Sequence, residues 1–194
     1  MALMKNNEKQ IDAEYRAYIN NHILNVKRAN ELFGNKIAIE IFYNRKHSNT
    51  SIKEIMDGLK ERIPVHDASK FSDEEFKPYR DKFFGKDRNS RSVENEFEKA
   101  WIHHYTINDH HPEFWTYKLG KKIITASMSN CAFAEMLIDW IAMSMAGNSS
   151  LIDWWMDSGK VDKIKYFDQA DMNFLDQFII KYEDDFNFKS DRNI

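Results

Sequence analysis

Cysteine is almost missing from this sequence, with Cys131 as its single instance among 194 residues. An intramolecular disulfide is therefore impossible, and zinc sites made of several thiolates are excluded. Any metal ion would have to be bound by histidine, aspartate and glutamate side chains. Glycine and proline are also scarce, with six and three residues, which favours helices over a β fold with many turns.

Long apolar runs and an excess of one charge are missing as well. No uninterrupted apolar segment is long enough to span a membrane, and the N-terminal segment MALMKNNEKQ lacks the apolar core of a signal peptide. We therefore expect a cytoplasmic protein without a membrane partner. The 28 lysine and arginine residues nearly balance the 31 aspartate and glutamate residues, which argues against broad electrostatic binding to nucleic acid.

What the sequence does contain is the periodicity of amphipathic helices, together with 42% hydrophobic residues to fill a core. The first helix is predicted from about Ile11 to Phe33, with Gly34 as its end. At 100° per residue, His22 lies in the middle of the apolar face of this helix. The following segment, 36–47, is ambiguous between a short helix and a strand.

Further helices follow along the chain, and no repeat or low-complexity linker marks a domain boundary. Residues 1–194 are therefore predicted to form one all-α domain, a compact helical bundle. One helix is expected to start at Thr50–Ser51, and Pro64 then kinks or ends it. Another is expected to start at Ser72, with a capping box to Glu75, and to be perturbed by Pro78, and a third to start at Ser92. The remaining helices are expected from near Ser129 to just before Gly147, and near 150–157 and 168–185.

Two aspartates stand in apolar surroundings. Asp67 follows His66 in the segment VHDASKF, whose apolar lead-in indicates burial. Asp139 lies on the core-facing stripe of its predicted helix, and Glu135, one turn earlier, points the same way. A buried carboxylate is costly unless it is paired or bound to a metal ion. No lysine or arginine lies in 123–159, so metal ligation is favoured over an ion pair with a distant basic residue, and Glu135 is expected to orient a histidine ligand.

The segment IHHYTINDHH, residues 102–111, holds four of the seven histidines. On a continuous helix His104 faces the core, whereas His103 is more exposed. His111 stands seven residues further, about 10.5 Å along the helix axis, which is too far for both to bind one ion. Either the helix ends before the proline that follows, or the two histidines contact different ions, or one ion and a substrate. Whether His110 replaces His111, or His103 replaces His104, stays open.

In chain order these residues resemble the signature of the HD-domain superfamily: His22, the pair His66-Asp67, then His104, His111 and Asp139. The resemblance implies an all-α bundle in which the first histidine, the pair and the last aspartate bind a divalent metal ion, and the intermediate histidines a second one. The segment HDASK is similar to that of the HD-domain nucleoside monophosphate phosphatases. The segments AWIHH…NDHHPEFW and EMLIDW resemble an uncharacterised bacterial and phage family with HD-type motifs.

Imidazole and carboxylate donors without thiolate suit Mn²⁺, Fe²⁺, Co²⁺, Ni²⁺ or Zn²⁺, so one or two such ions are the expected cofactor. The expected function is a phosphohydrolase that acts on a nucleotide or another small phosphate ester through a metal-activated water. Asp67 is expected to act in catalysis as a ligand, Lys70 to neutralise phosphate charge, and Glu74, or else Glu75, to relay a proton. An HD-fold di-iron oxygenase and an inactive binding module are the alternatives, and a homodimer stays open.

Overall fold

Helices dominate the computed structural model of the protein, which describes residues 2–45, 50–120 and 122–189. The predicted helical fold class is confirmed, although a small sheet is added to it. None of the described helices combines the length and the apolar character that crossing a membrane requires. The helices and strands are α1 (Ala2–Asn44), α2 (Ile52–Arg62), α3 (Phe76–Phe84), α4 (Arg91–Ile107), β1 (Thr116–Leu119), β2 (Lys122–Thr125), α5 (Asn130–Ala146), α6 (Leu151–Trp154), α7 (Lys160–Lys163) and α8 (Gln169–Lys181).

Helix α1 continues well beyond the end predicted at Gly34. Its second half buries Ile37, Ala38 and Ile41 completely, because α1 packs against α2 and α5. Glycine in a helix interior costs only about 1 kcal/mol relative to alanine, and the burial of these side chains outweighs that cost. The ambiguous segment is therefore helical as far as Asn44, and its last residues, 46 and 47, lie outside the described part of the chain.

Helix α5 forms the centre of the bundle, and its first half is buried on nearly every side. Consecutive residues Phe133 to Ile138 are all buried, as expected for a helix that packs against α1 on one side and α2 on another. Ser129 caps its start by accepting a hydrogen bond from the backbone N–H of Ala132, at 3.2 Å. The helix ends before Gly147, so both predicted boundaries are confirmed. Its burial carries the carboxylates of Glu135 and Asp139 into the interior.

Serine side chains also cap α2 and α4, but one of them is not the predicted residue. Ser51 starts α2 as predicted, and its Oγ accepts a hydrogen bond from the backbone N–H of Glu54 at 3.2 Å. The prediction of Ser92 as the cap of α4 is wrong. Ser90 holds that position and accepts from the backbone N–H of Val93 at 3.3 Å. A cap at Ser90 extends α4 and adds backbone hydrogen bonds that a cap at Ser92 would leave out.

The predicted capping box between Ser72 and Glu75 is wrong as well. Helix α3 begins at Phe76, and no side chain caps it. The Glu75 side chain instead turns inward, with its two oxygens 2.8 Å from Nδ1 of His103 and of His104. Two imidazole partners thus replace the single backbone N–H that a capping box would supply. Pro78 lies in the first turn of α3, where a missing N–H interrupts no helical hydrogen bond.

A short antiparallel hairpin, β1–β2, follows α4 and was not predicted. Thr116 pairs with Thr125 and Leu119 with Lys122, and Gly120 takes a positive φ of 63° beyond the end of β1. The β-branched and aromatic residues on either side of this glycine were the available signal. Of the two predicted C-terminal helices, the first continues from α6 through a π turn, Trp155–Gly159, into α7, and the second ends earlier than expected, at Lys181.

A buried ion pair links the end of α1 to the starts of α5 and α8. The Arg45 guanidinium donates from Nε to Asp171 Oδ1 at 2.8 Å and from Nη2 to Asp171 Oδ2 at 2.9 Å. Its Nη1 donates to Asn130 Oδ1 at 2.6 Å and to the Met128 carbonyl at 2.9 Å. The guanidinium also lies 4.1 Å from the centre of the Phe133 ring. We call this feature the Arg45–Asp171 pair.

Candidate metal centre

Residues from three parts of the chain meet at one point beside α5. His22 comes from α1, His66 and Asp67 from the turn after α2, and Asp139 from α5. The Nε2 atom of His22 lies 3.1 Å from Asp139 Oδ1, 3.4 Å from Asp67 Oδ2 and 3.4 Å from His66 Nε2. The Nε2 atom of His66 lies 3.7 Å from each of the same two oxygens. We call these four residues the first ligand group.

The spacing within the first ligand group matches that of donor atoms around one cation. Ligands about 2.0–2.2 Å from an ion at tetrahedral or octahedral angles lie about 3–3.6 Å from one another. Ordinary packing would not bury two imidazole nitrogens and two carboxylate oxygens around a common point, because the desolvation of these polar atoms opposes it.

A second set of donor atoms lies on the other side of Asp67. The Oδ1 atom of Asp67 is 3.3 Å from His104 Nε2 and 3.6 Å from His110 Nε2. The Nε2 atoms of His104 and His111 are 2.8 Å apart. One donor atom from each of these four residues lies within 4.8 Å of the others. We call them the second ligand group, and Asp67 bridges the two groups because each of its oxygens faces one of them.

The backbone at Asp67 explains how one short turn supplies two neighbouring ligands. The turn lies between two 3₁₀ segments, Ile63–Val65 and Ala68–Phe71. His66 has extended backbone angles, whereas Asp67 adopts the left-handed conformation with a φ of 55°. This reversal directs both side chains at the same point. A non-glycine residue in this conformation costs of order 1 kcal/mol or more, and such residues cluster at functional sites.

A turn after α4 explains how His104 and His111, which are seven residues apart, can reach the same site. Helix α4 ends at Ile107, and the side chain of Asn108 donates to the His104 carbonyl at 2.8 Å. His110 and His111 therefore lie on a turn that folds back, which removes the separation a continuous helix would impose. Both of them reach the second ligand group.

Carboxylates outside the ligand groups fix the orientation of two imidazoles. Nδ1 of His66 lies 2.8 Å from Glu135 Oε1, and Nδ1 of His104 lies 2.8 Å from Glu75 Oε2. With Nδ1 engaged in this way, Nε2 of each ring faces the centre, which is the arrangement usually found for metal-bound histidines. Glu135 thus lies where the sequence predicted a residue that orients a histidine.

Glu135 is itself held by a basic side chain. Arg62 donates from Nε to Glu135 Oε2 at 2.6 Å, and its other nitrogens bind Asp109. The Asp109 carbonyl in turn accepts a hydrogen bond from the indole of Trp115 at 2.7 Å. This chain of contacts ties the turn that carries His110 to α2 and α5. Sequence reasoning missed Arg62, and no local pattern marks it.

The electrostatics of the two aspartates favour the ionised form. Burial raises the pKa of Asp67, but the charges of Lys70 and His66 and the imidazoles of His104 and His22 outweigh it and hold the pKa well below its usual range. Burial likewise raises the pKa of Asp139, and the imidazoles of His22 and His66 bring it well below its usual range. Both side chains are therefore available as anionic ligands.

The histidines of the second ligand group that follow α4 are held neutral. Burial lowers the pKa of His111 to about 3, with His104 adding to the effect. Burial and the neighbouring His111 and His66 lower the pKa of His110 well below its usual value. Neutral imidazole is the form that binds a metal ion.

His66 shows the opposite behaviour. Burial lowers its pKa, but Asp67, Asp139 and Glu135 outweigh burial and raise the pKa to about 10. The first ligand group thus attracts a positive charge strongly, and a proton on His66 and a metal ion compete for the same place.

Three atoms of the ligand groups show why a cation fits this centre. Asp67 Oδ1, Asp139 Oδ1 and His110 Nε2 are buried, and none has a hydrogen-bond partner among the described residues. A buried polar atom without a partner costs about 1–3 kcal/mol. A bound cation satisfies oxygen and nitrogen lone pairs at once, so the residues present fit a metal ion well.

The remaining predicted site residues fall in different places. Lys70 lies beside the centre, with Nζ 2.5 Å from Asp67 Oδ2. Glu74 is exposed and lies outside both ligand groups, so its predicted role as a proton relay has no structural basis; Glu75, which the sequence left as the alternative, is buried against His104. His103 is 35% exposed and contacts Glu75 rather than joining the ligand groups.

Comparison with known proteins gives one match. No curated protein and no solved structure matches the chain. A family model with the description "Family of unknown function (DUF5662)" matches residues 11–181. That range includes every residue of the two ligand groups, and it covers most of the chain. The protein therefore belongs to this family of unknown function.

Proposed function

We propose that this protein is a divalent-metal-dependent phosphohydrolase that acts on a nucleotide or another small phosphate ester. The observation that carries the proposal is the bridging position of Asp67 between two groups of buried imidazoles. The same ligand order supports the resemblance to the HD-domain superfamily, which is part of the proposal. Imidazole and carboxylate donors favour Mn²⁺, Fe²⁺, Co²⁺, Ni²⁺ or Zn²⁺.

The two ligand groups would hold two ions side by side. The first ion would be held by His22, His66, Asp67 and Asp139, and the second by Asp67, His104, His110 and His111. Ions of this kind lower the pKa of a bound water from about 15.7 towards 7 and neutralise the charge of a phosphoryl group. Asp67, whose two oxygens face different groups, would contribute one oxygen to each ion.

Lys70 supplies a mobile positive charge to the same centre. Burial lowers its pKa, but the charge of Asp67 outweighs burial and raises the pKa, so the ammonium group stays protonated. If Asp67 held a metal ion, its charge would be shared between that ion and Lys70, and the ammonium group could also donate to a phosphoryl oxygen.

Among the residues that the structure describes, this centre offers no obvious nucleophile for a covalent intermediate. Cys131, the single cysteine, contacts Glu54 on α2 rather than either ligand group. Ser69 lies near the centre, but its hydroxyl donates to Glu75 at 3.0 Å. Attack by an activated water, in line with the leaving oxygen, is therefore the reaction that the side chains favour.

The test begins with protein purified without chelator, in which metal content is measured directly. We expect between one and two transition-metal ions per chain. Phosphate release is then measured with Mn²⁺, Co²⁺, Ni²⁺, Mg²⁺ and Zn²⁺ against nucleoside monophosphates and generic phosphate esters. Release with at least one metal supports the proposal. No release with any metal, together with oxygen uptake by the iron-loaded protein, would favour the di-iron oxygenase instead; neither activity would indicate an inactive binding module.

A further inference from the structure

Two buried tyrosines beside the metal centre have hydroxyl groups without a partner. Tyr15 on α1 is 1% exposed and Tyr79 on α3 is 5% exposed. Neither hydroxyl has a hydrogen-bond partner among the residues that the structure describes. Because a buried donor that makes no hydrogen bond costs stability, each hydroxyl requires a reason to be there.

Packing does not supply that reason. Tyr15 contacts the rings of Phe76 and Phe84, at centroid distances of 5.1 Å and 5.7 Å, and Tyr79 contacts Phe97 at 5.0 Å. The tyrosines thus belong to a cluster whose other large rings are mostly those of phenylalanine. A phenylalanine at either position would fill the same volume without an unsatisfied hydroxyl.

Tyr79 lies at the wall of the metal centre, and Tyr15 shares one apolar cluster with it. The ring of Tyr79 lies 5.8 Å from that of His104, and Lys70 Nζ lies 5.9 Å from the Tyr79 ring centre. Tyr15 precedes His22 by two helical turns on the same face of α1. Tyr79 therefore lies beside His104 and Lys70, and Tyr15 belongs to the same apolar cluster.

A phenol has an ordinary pKa of about 10 and is therefore protonated at neutral pH. Each hydroxyl is thus available as a hydrogen-bond donor. A protonated phenol is a poor ligand for a cation but a good partner for an anionic oxygen.

We infer that the hydroxyls of Tyr15 and Tyr79 donate hydrogen bonds to a tetrahedral oxyanion held at the metal centre. The inference rests on the proposed function and extends it by naming a binding subsite. The oxyanion is the phosphoryl group of the substrate and, after hydrolysis, the inorganic phosphate that it releases. The two neutral donors and the charged Lys70 contact its non-bridging oxygens, and no proton is transferred from either tyrosine.

The experiment measures the affinity of inorganic phosphate for Mn²⁺-loaded protein by isothermal titration calorimetry. The variants are Tyr15→Phe and Tyr79→Phe, which remove one oxygen and keep the ring. Tyr43→Phe is the matched control, because Tyr43 lies on α1 and is 71% exposed. We expect each site variant to weaken phosphate binding about tenfold or more, as expected for a lost hydrogen bond to a charged group, and the control to leave it unchanged.

Thermal melting separates this role from a structural one. In the absence of phosphate, both site variants should melt at the wild-type temperature or above it, because the deleted hydroxyl had no partner. Lower melting temperatures with unchanged phosphate affinity would overturn the inference. Loss of bound Mn²⁺ from the variants, or failure of phosphate to bind the wild type, would also overturn it.

Measuring ester hydrolysis together with phosphate binding tests the tyrosine subsite and the proposed function separately. If the wild type hydrolyses phosphate esters while the variants bind phosphate normally, the tyrosine subsite is wrong and the phosphohydrolase assignment stands. If the variants bind phosphate about tenfold more weakly and no ester is hydrolysed, the oxyanion subsite stands and the phosphohydrolase assignment fails.

Discussion

The Arg45–Asp171 pair and the metal centre are both buried clusters of charge, but only the pair is complete by itself. Each carboxylate oxygen of Asp171 accepts one hydrogen bond from the Arg45 guanidinium. The remaining guanidinium nitrogen is taken up by Asn130 and by the carbonyl of Met128. This pair shows how the chain satisfies a buried carboxylate when the role of that carboxylate is structural.

At the metal centre the donors and acceptors do not balance. Four acidic residues lie there: Asp67, Asp139, Glu75 and Glu135. Two basic residues contact them, Lys70 at Asp67 and Arg62 at Glu135, and Glu75 contacts only histidines among its ion-pair partners. Asp139 contacts His22 and His66 and has no lysine or arginine partner within the described residues. The contrast indicates that a single buried carboxylate can be satisfied by one basic partner, whereas several buried carboxylates with two basic partners could also hold a cation.

The largest expected effect is that of Asp67→Ala, which removes the bridge between the two ligand groups. Metal content should fall to near zero and phosphate release should be lost, while the helical circular dichroism signal persists because Asp67 lies in a turn outside the α-helices. The matched control is Asp153→Ala, whose side chain is exposed and pairs with Lys189. A variant that keeps both ions would show that Asp67 is not the bridge.

The next largest effect is the loss of fold stability when the Arg45–Asp171 pair is broken. Arg45→Met leaves Asp171 buried without a partner and should lower the free energy of unfolding by about 3–5 kcal/mol. Urea denaturation measures this change, and metal content per folded molecule should stay at the wild-type level. The double variant Arg45→Met/Asp171→Leu should recover most of the loss, because an apolar pair removes the unpaired charge. Failure to recover would mean that the pair does more than balance charge.

A third effect is the pH dependence of the protein after treatment with a chelator. The pKa of His66 is raised to about 10 from an ordinary 6.5, so its protonation stabilises the folded state fully below pH 6.5. That stabilisation is lost as the pH rises towards 10. Unfolding free energies measured from pH 6 to about pH 10 should therefore fall, and His66→Gln should flatten the curve. With metal present the trend reverses, since protons then compete with the ion.

The smallest effect is expected for the carboxylate that orients His66. Glu135→Gln weakens the contact to His66 Nδ1 and should reduce metal affinity about 10–100-fold. Competition with a chromophoric chelator measures the affinity. Asp109→Asn is the control, because Asp109 contacts the same Arg62 but no ligand imidazole. An equal loss of metal affinity in the two variants would show that the effect comes from a displaced Arg62 rather than from the orientation of His66.

Sequence periodicity was sufficient to predict the direction of a candidate ligand side chain where that residue lies on a regular helix. His22 and Asp139 were placed on core-facing stripes, and the structure brings both of them to the centre. It was insufficient for the histidines after α4, because a turn has no period from which the direction of a side chain follows. The choice between His110 and His111 could therefore not be made, and the structure uses both.

Long-range contacts explain the sequence predictions that are wrong. A local rule assigned Glu75 to a helix cap, but the imidazoles of His103 and His104 are stronger partners, and both lie far along the chain. A similar conflict occurs at Gly34, where packing of α1 against α5 overrides the local preference for a helix end. The hairpin was missed because its strands have only four residues each, too few for a clear pattern.

Helix α1 carries His22 near its middle and ends next to Arg45. At about 1.5 Å per residue, the two lie roughly 35 Å apart along one continuous rod. Inserting a single residue between them would rotate one end by about 100° relative to the other. Either His22 would then leave the centre, or Arg45 would lose Asp171. The number of residues between His22 and Arg45 is therefore fixed by the two sites that these residues must reach. Insertions and deletions in this family should be confined to segments outside this part of α1.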